Sequence, residues 1–483
     1  MLGGVISLME MRGHQKLAVL AALGVCAIAH FGEGRFLNAT AQNLDGTDSR
    51  SQLFQSAVRN YESGKFVEAE HILLPLLKGS PQAFDANELM GLVLAGERRD
   101  TDALAYLKNA VRARPASAPA HVAYGACLLR LGRSAEAEPE LQRAGALKPS
   151  DYDSNHDLGE LYVQIGKLTA AIPFLEKAQG IQPASYDNGY DLALAYLRSQ
   201  KPRQARDLLR NLIHYKDTAE MHNLLGEAEE GSGDYLAAAK ELEKAAHTDP
   251  SEGNILDWGT ELLRHHTFSA AIEVFTAGVE KYPASVRMEL GLGLAYYGFA
   301  AHEKSAAALM RACDLAPRDP APYLILGETY SDSRVPVVGV VDYLDRFIAL
   351  DPSNAQARYY QALALWKGQS GVPGSKDLSP VEAALEKAAS LDPKFGPARL
   401  QLGNLYSDEN KVPEAVTAYQ EALRIDPDLA DAHYHLAQLY RRTGKSGAAA
   451  TELALYQRLH QEQLTEKEEK HKRILRFIIT MTR

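Results

Sequence analysis

The stretch LRLGRSAEAEPELQRAGALKP, residues 129–149, decides the architecture, because the chain writes it again as YESGKFVEAEHILLPLLKGSP at 61–81 and as SDENKVPEAVTAYQEALRIDP at 407–427. In each copy a small residue stands four positions upstream, inside what reads as a first helix. Registered on it, the copies give Ala57, Gly91, Gly125, Gly159, Ala193, Gly226, Gly259, Gly293, Gly327, Ala362, Gly403 and Ala437, with spacings of 34, 34, 34, 34, 33, 33, 34, 34, 35, 41 and 34. A second small residue follows twelve positions on, at Ala69, Ala103, Ala137, Ala171, Ala205, Ala238, Ala271, Ser305, Ala415 and Ala449, with Val340 and Val381 as the exceptions. An internal period of this length is the mark of a repeat array.

Proline closes the copies, at Pro81, Pro115, Pro149, Pro183, Pro250, Pro283, Pro317, Pro352, Pro393 and Pro427, with Asp217 standing where the fifth would have one. Proline cannot continue a helix and disfavours helical geometry in the residue before it, so each unit must stop there. The pairs Asp249-Pro250, Asp351-Pro352, Asp392-Pro393 and Asp426-Pro427 are expected to sharpen the turn and to help cap the next helix. Between the marks, Leu158, Leu161 and Tyr162, then Ile172, Leu175 and Ala178, fall at helical spacing. Each unit is therefore a helix-turn-helix. The small residue on its buried face lets two backbones approach, and only stacking against neighbours buries the apolar side of such a hairpin.

The order of an apolar residue, a small residue, an aromatic, a small residue, an aromatic or Leu, and then Pro resembles the tetratricopeptide repeat. The copy with Leu402, Gly403, Tyr406, Ala415, Tyr419, Ala422 and Pro427 carries nearly every mark. The resemblance runs from about Ser51 to about Leu459. It implies an all-α, right-handed α-solenoid of about twelve helix-turn-helix repeats with a C-terminal capping helix. It also implies a concave groove lined mainly by first helices, and a role as an assembly scaffold that binds proteins or peptides.

On this reading 1–41 is a signal peptide, 42–50 a linker, 51–461 the solenoid, and 462–483 a charged helix with an apolar tail. Arg12 and Lys16 precede the apolar run LAVLAALGVCAIA at 17–29, the order of a secretory signal. Cleavage is expected after Ala41, with Ala29 as the other small-x-small site; a lipid anchor on Cys26 and an uncleaved anchor are the alternatives. The expected location is thus periplasmic or secreted. The tenth unit carries about seven extra residues, Gly371 to Asp377, expected to lengthen a turn. The first unit has Asn60 where an aromatic is usual, as a terminal cap would. Glu466 and Lys470, Glu468 and Lys472, and Glu469 and Arg473 are spaced to pair along one helix face. The apolar end, with Ile474, Leu475, Phe477, Ile478 and Ile479, is expected to fold back on the last unit, with docking on a partner or peripheral membrane association as alternatives.

The 483 residues are 46% hydrophobic and 24% charged with a formal net charge of −10, which argues against a phosphate-binding surface and hence against a nucleic-acid partner. There is no GxxxxGK[ST], GxGxxG after a strand, HExxH, GxSxG or CxxC, and the repeats leave no stretch for a catalytic domain. Binding is expected rather than catalysis, with no cofactor, no metal and no small-molecule substrate. Cys127 and Cys313 read as small buried hydrophobes. His433 and His435 point to different faces, and the adjacent His265 and His266 likewise do not suit a shared metal, so all four read as surface or packing residues.

Positions three before, and one, four or five after, each small residue are the groove candidates implied by the resemblance. They include Glu160, Glu227 and Glu230 in a central stretch, where the candidate Glu220 also lies, and Tyr297, Tyr359, Trp366, Tyr434, Arg441 and Arg442 toward the C-terminus. Aromatics and arginines are the usual anchors of protein contacts, so an extended peptide or a helix is expected across the C-terminal third. Some members of the resembled family grip chaperone C-termini with Lys and Asn on consecutive first helices. Here those positions hold Phe54, Val58, Glu88, Leu92, Val122 and Ala126, and only Asn404, beside Leu363 and Gln438 in the neighbouring units, fits the pattern, so no such adaptor is expected. The expected function is a protein-binding scaffold of the cell envelope. An assembly or export component of a polysaccharide-secretion or outer-membrane machine is the alternative.

Overall fold

A computed structural model describes residues 49–147, 150–333, 335–369 and 377–462. Every regular element among them is a helix. They form two compact units, the first ending at Glu241 and the second beginning at Leu242, within helix α12.

The first unit stacks the pairs α1 (Ser49–Glu62) and α2 (Phe66–Gly79), α3 (Phe84–Gly96) and α4 (Asp100–Ala113), α5 (Ala118–Arg130) and α6 (Ser134–Leu147), α7 (Tyr152–Gln164) and α8 (Leu168–Ile181), and α9 (Tyr186–Arg198) and α10 (Pro202–Leu212). It ends with α11 (Ala219–Ser232) and the start of α12 (Tyr235–Thr248). The second unit continues with α13 (Glu252–Arg264) and α14 (Phe268–Lys281), α15 (Val286–Gly298) and α16 (His302–Leu315), and α17 (Pro320–Ser331) and α18 (Val340–Leu350). There follow α19 (Ala355–Gly368) and α20 (Ser379–Leu391), α21 (Gly396–Asp408) and α22 (Val412–Ile425), and α23 (Ala430–Arg442) with α24 over 446–462. Helix α1 starts two residues inside the expected linker. In most pairs a first helix packs on its own second helix, and several pack on the next first helix, as α7 does on α8 and α9. This is an all-α solenoid of twelve helix pairs.

The register seen in the sequence is the register of the core. The second small residues Ala69, Ala103, Ala137, Ala171, Ala205, Ala271 and Ala415 have no exposed surface, and Val340 and Val381 fill the same place in the two irregular pairs. Sixteen positions after the first small residue stands a large buried one: Leu73, Leu107, Leu141, Leu175, Leu209, Phe275, Leu309 or Tyr419. A Cβ added to Gly159 would meet Leu175 Cδ2 at 2.3 Å, and one added to Gly403 would meet Tyr419 Cε1 at 2.5 Å. Small against large across the pair is what sets the helix separation.

Proline acts as expected. Helices α4, α8, α16 and α22 end two residues before Pro115, Pro183, Pro317 and Pro427. The residue between has left helical geometry, as at Arg114 (φ −138°, ψ 80°). Capping differs from expectation. The carboxylates of Asp351, Asp392 and Asp426 accept from the backbone N–H two residues on and so brace the turn. The N-caps are other side chains: Ser117, Asp151, Thr218, Ser251, Ser285, Asp319 and Asn354. Asp249 Oδ2 does reach the first turn of α13, accepting from Asn254 Nδ2 at 3.0 Å.

In ten of the described pairs the turn is left-handed seven residues after the small mark. Glycine fills it at Gly64, Gly132, Gly166, Gly233 and Gly444, whereas Arg98, Gln200, His266, Ala300 and Asn410 take positive φ with a side chain present. In the ninth pair the turn is longer, and Gly339 (φ 91°) leads into a short α18. There Gly327 faces Tyr360 of the next first helix instead of its own second helix. No helix among the described residues is long and apolar enough to cross a membrane. The expected signal peptide, most of the 371–377 insertion and the tail beyond 462 lie outside the described residues.

Candidate functional site

In the first unit the outward faces of consecutive first helices gather acids. Asp153, Asp157 and Glu160 lie on α7, Asp187 and Asp191 on α9, and Glu220 and Glu227 on α11. Asp157 and Asp191 each stand two positions before the small mark, where the backbone is close-packed and the carboxyl is held half-buried. Burial pushes the Asp157 carboxyl up to about 7, helped by Glu160, Asp153 and Asp151. Burial does the same at Asp191, also to about 7, with Glu160 and Asp187 adding repulsion. Glu160, which faces both, accepts a 3.0 Å bond from Gln164 Nε2. Among the described residues no lysine or arginine is ion-paired with Asp153, Asp157, Glu160, Asp187 or Asp191. Glu227 at the margin is paired with Arg198.

Tyrosines frame these acids. Tyr152 stacks on His156 (5.5 Å) and its hydroxyl meets Ser185 Oγ at 2.7 Å, while Tyr186 repeats the contact one pair on, against Thr218 Oγ1 at 3.2 Å. Tyr190, whose phenol is raised by burial and then by Tyr186, Asp191 and Glu220, brings α11 into the same electrostatic neighbourhood. The face is polar, aromatic-edged and negative, and it can accept hydrogen bonds and cations.

The second unit presents a different surface. Tyr359 packs edge-on against Phe395 (5.2 Å), and it and Trp366 are half-buried against the core around α20 and α21. Tyr434, 37% exposed, touches His435 and Tyr456 (5.3 and 5.1 Å), and Tyr456 stacks on His460. Burial lowers the His435 imidazole despite Asp431 and Asp408 nearby. Arg441 and Arg442 are exposed, the latter donating to Asn410 Oδ1 at 2.8 Å. Tyr297 sits apart and donates to Asp332. Lys367 Nζ donates to the Tyr330 and Ser331 carbonyls, lies over the Tyr330 ring, and is pushed down to about 8 by burial.

Family models match most of this array. Those described as tetratricopeptide repeat match 54–118, 190–253 and 256–320, then 94–158, then 152–185, and one described as TPR repeat matches 403–444. Together they span more than half of the residues.

The chain belongs to the tetratricopeptide-repeat family.

No match was found among curated proteins. Solved structures that it resembles include Naa15/Naa10 bound to HypK-THB (18% identity, 84% of this chain and 68% of that one, TM-score 0.40). The Cut9–Hcn1 hetero-tetramer of the APC/C matches at 13% identity over 91% and 98% of the two chains (TM-score 0.35). YrrB, described as a TPR protein with an unusual peptide-binding site, matches at 17% identity over 38% and 95% (TM-score 0.33).

Within these tetratricopeptide repeats the structure unites Glu160 with acids that sequence reading passed over: Asp153, Asp157, Asp187 and Asp191. Of the other sequence candidates, Glu220 and Glu227 are exposed and Glu230 half-buried on α11. Tyr359, Trp366, Tyr434, Arg441 and Arg442 occur on α19 and α23, but only Tyr434 and the two arginines are largely exposed. The aspartates had a signal, since Asp157 and Asp191 share one register, but the positions scanned did not include two before the small residue. Cys127 and Cys313 are buried with free thiols, both pushed up to about 12 by burial. They are packing residues.

A further set is histidine. Four positions before the small mark, His121, His222 and His433 are buried. His121 Nδ1 lies 2.6 Å from Glu140 Oε2 and its Nε2 3.1 Å from the Pro115 carbonyl. His433 repeats this with Glu452 (2.6 Å) and Pro427 (2.9 Å). His222 meets Glu241 (2.5 Å) and, where the closing proline is missing, the Asp217 carboxylate (2.7 Å).

Proposed function

We propose that this tetratricopeptide-repeat protein is a binding scaffold whose first-helix face over α7, α9 and α11 receives a basic segment of a partner protein. The observation that carries this is the uncompensated set Asp153, Asp157, Glu160, Asp187 and Asp191, two of them held near neutrality by burial and mutual repulsion. A folded chain tolerates such repulsion at a cost, and a lysine or arginine laid across it would remove that cost. Tyr152, Tyr186 and Tyr190 supply ring surface beside the charges, as protein interfaces commonly do.

The reading is supported by family membership, since a helix-pair array offers long faces for binding. The charged-then-apolar N-terminal segment supports placing the scaffold in the cell envelope, which N-terminal sequencing of the mature chain would check. Binding is tested by titrating the full chain with a fluorescent lysine-rich peptide at low salt. Saturable binding that weakens steeply with added salt is expected. Absence of saturation, or binding indifferent to salt, would sink the proposal.

A further inference from the structure

Two buried glutamates of this fold meet a cation. Glu289, 3% exposed, takes both oxygens to Arg311, at 2.8 and 3.0 Å, and Glu229, 1% exposed, accepts from Arg210 at 2.6 Å. Glu88 differs. It lies on α3, three positions before the small mark Gly91, in the register expected to line the groove, and is 8% exposed. Its Oε1 is buried with no hydrogen-bond partner among the described residues. Asp85, one turn earlier on the same helix, shares the condition. Its Oδ1 is buried without a hydrogen bond, and Arg114 Nη2 stands 3.7 Å from it, beyond hydrogen-bond reach. The Arg114 guanidinium is instead seated over the Phe84 ring, 3.7 Å from its centroid.

At this register the neighbouring repeats offer no donor. Phe54 on α1 and Val122 on α5 hold the position of Glu88 in the first helices packed on either side of α3. Burial pushes the Glu88 carboxyl up to about 7; Asp85 adds repulsion and Arg114 offsets part of it. A buried acceptor left unmade is costly, and a donor that arrives with a positive charge relieves both the missing bond and the repulsion.

We propose that Glu88 and Asp85 form a site for one lysine ammonium of a partner protein. Like the face over α7, α9 and α11, this site presupposes a basic partner, and so rests on that reading. An ammonium is compact and has three donors, so one group carries a donor for each of the two orphaned oxygens. A planar guanidinium is bulkier, and Asp85 already has one beside it in Arg114.

The test titrates the full chain and its Glu88→Gln variant with a fluorescent lysine-rich peptide, by anisotropy at low salt and about pH 8, where the Glu88 carboxyl is mostly ionised. The variant keeps the shape of the side chain and removes its charge. It is expected to bind the peptide about tenfold more weakly, with a smaller loss for the same peptide carrying arginine at every lysine. Unchanged affinity in the variant, while wild type binds, would overturn this site and leave the face over α7, α9 and α11 standing. A loss as large for the arginine peptide would overturn the ammonium assignment. Failure of wild type to bind at all would overturn both readings. Carbon NMR of the wild-type carboxyls is independent of whether the variant folds: the Glu88 resonance is expected to move on saturation with the lysine-rich peptide, and a resonance that stays in place would refute the site.

Discussion

The face over α7, α9 and α11 and the face over α19, α21 and α23 are built on one register, yet they carry opposite chemistry. In the first, the positions around the small marks of α7 and α9 are filled by carboxylates with which no lysine or arginine is paired among the described residues, with Asp157 and Asp191 kept near 7. In the second, comparable positions hold rings that satisfy one another, as Tyr359 does with Phe395 and Tyr434 with Tyr456. The lesson is that the repeat fixes where a side chain stands and leaves its chemistry free. Electrostatic frustration survives in the first face because the small-against-large packing beneath it is strong enough to hold the charges together.

That account breaks most visibly if the packing is attacked. Gly159→Val places a branched side chain against Leu175, where even a Cβ would stand 3.4 Å from the backbone nitrogen, and it is expected to cost about 3 kcal/mol. Hydrogen exchange should rise across 152–181 and binding of a lysine-rich peptide should disappear. The matched Gly403→Val, against Tyr419, should loosen α21 and α22 and leave that peptide bound. Equal protection in both variants and wild type would mean that the close approach is not what holds the pairs.

A gentler change separates the faces by charge. Asp157→Lys with Asp191→Lys is expected to weaken the lysine-rich peptide by about tenfold or more, equivalent to about 1.4 kcal/mol, measured by anisotropy. Trp366→Ala with Tyr434→Ala should leave that peptide unaffected and instead weaken any partner that reads the aromatic face. If the aromatic pair of changes moved the basic peptide and the lysines did not, the comparison would be inverted.

How much of this was legible beforehand follows from which interactions are periodic in residue type. The marks at Gly125, Ala137 and Pro149 are dictated by sterics, so residue identity alone reveals the helix pair and its stop. The acidic face was only half-legible. Glu160 falls on the positions scanned, whereas Asp157 matters through burial, which depends on Glu160, Asp153 and the next first helix. The histidine contacts were hard to read because His121 and His433 share their register with Asn87 and Tyr323, different side chains that all reach the carbonyl of the closing proline. Asp217 looked like a lost proline, and in the structure its carboxylate replaces the missing carbonyl.

Protonation probes the same contrast more finely. Asp157 and Asp191 have folded values near 7, above the ordinary aspartate value of 3.8. The folded state therefore holds more protons than the unfolded chain between these values, and stability contributed by the neutral carboxyls is lost as pH rises toward and past 7. Asp157→Asn with Asp191→Asn should raise the unfolding midpoint at about pH 8 by a few degrees and leave it unchanged near pH 4. Peptide affinity in wild type should fall as pH is lowered from about 8 to about 6, because the charges that attract it are extinguished. No comparable loss belongs to the aromatic face.

The smallest effect tests the chassis common to both faces. Ala300 holds a left-handed turn (φ 61°) where half of the equivalent turns use glycine, and it is exposed, so its methyl group contributes strain and little packing. An L-residue in this region costs about 1 kcal/mol relative to glycine, part of which is offset by the greater freedom of glycine in the unfolded chain. Ala300→Gly should thus stabilise the chain by about 0.5 kcal/mol, seen as slower exchange of the Ala301 amide, which donates to the Tyr296 carbonyl at 2.8 Å. The reverse change at an equivalent glycine, Gly166→Ala (φ 74°), should cost about the same net amount, about 0.5 kcal/mol. If both changes shifted stability in the same direction, the left-handed turn would not be the shared constraint that lets acid and aromatic faces ride on one repeat.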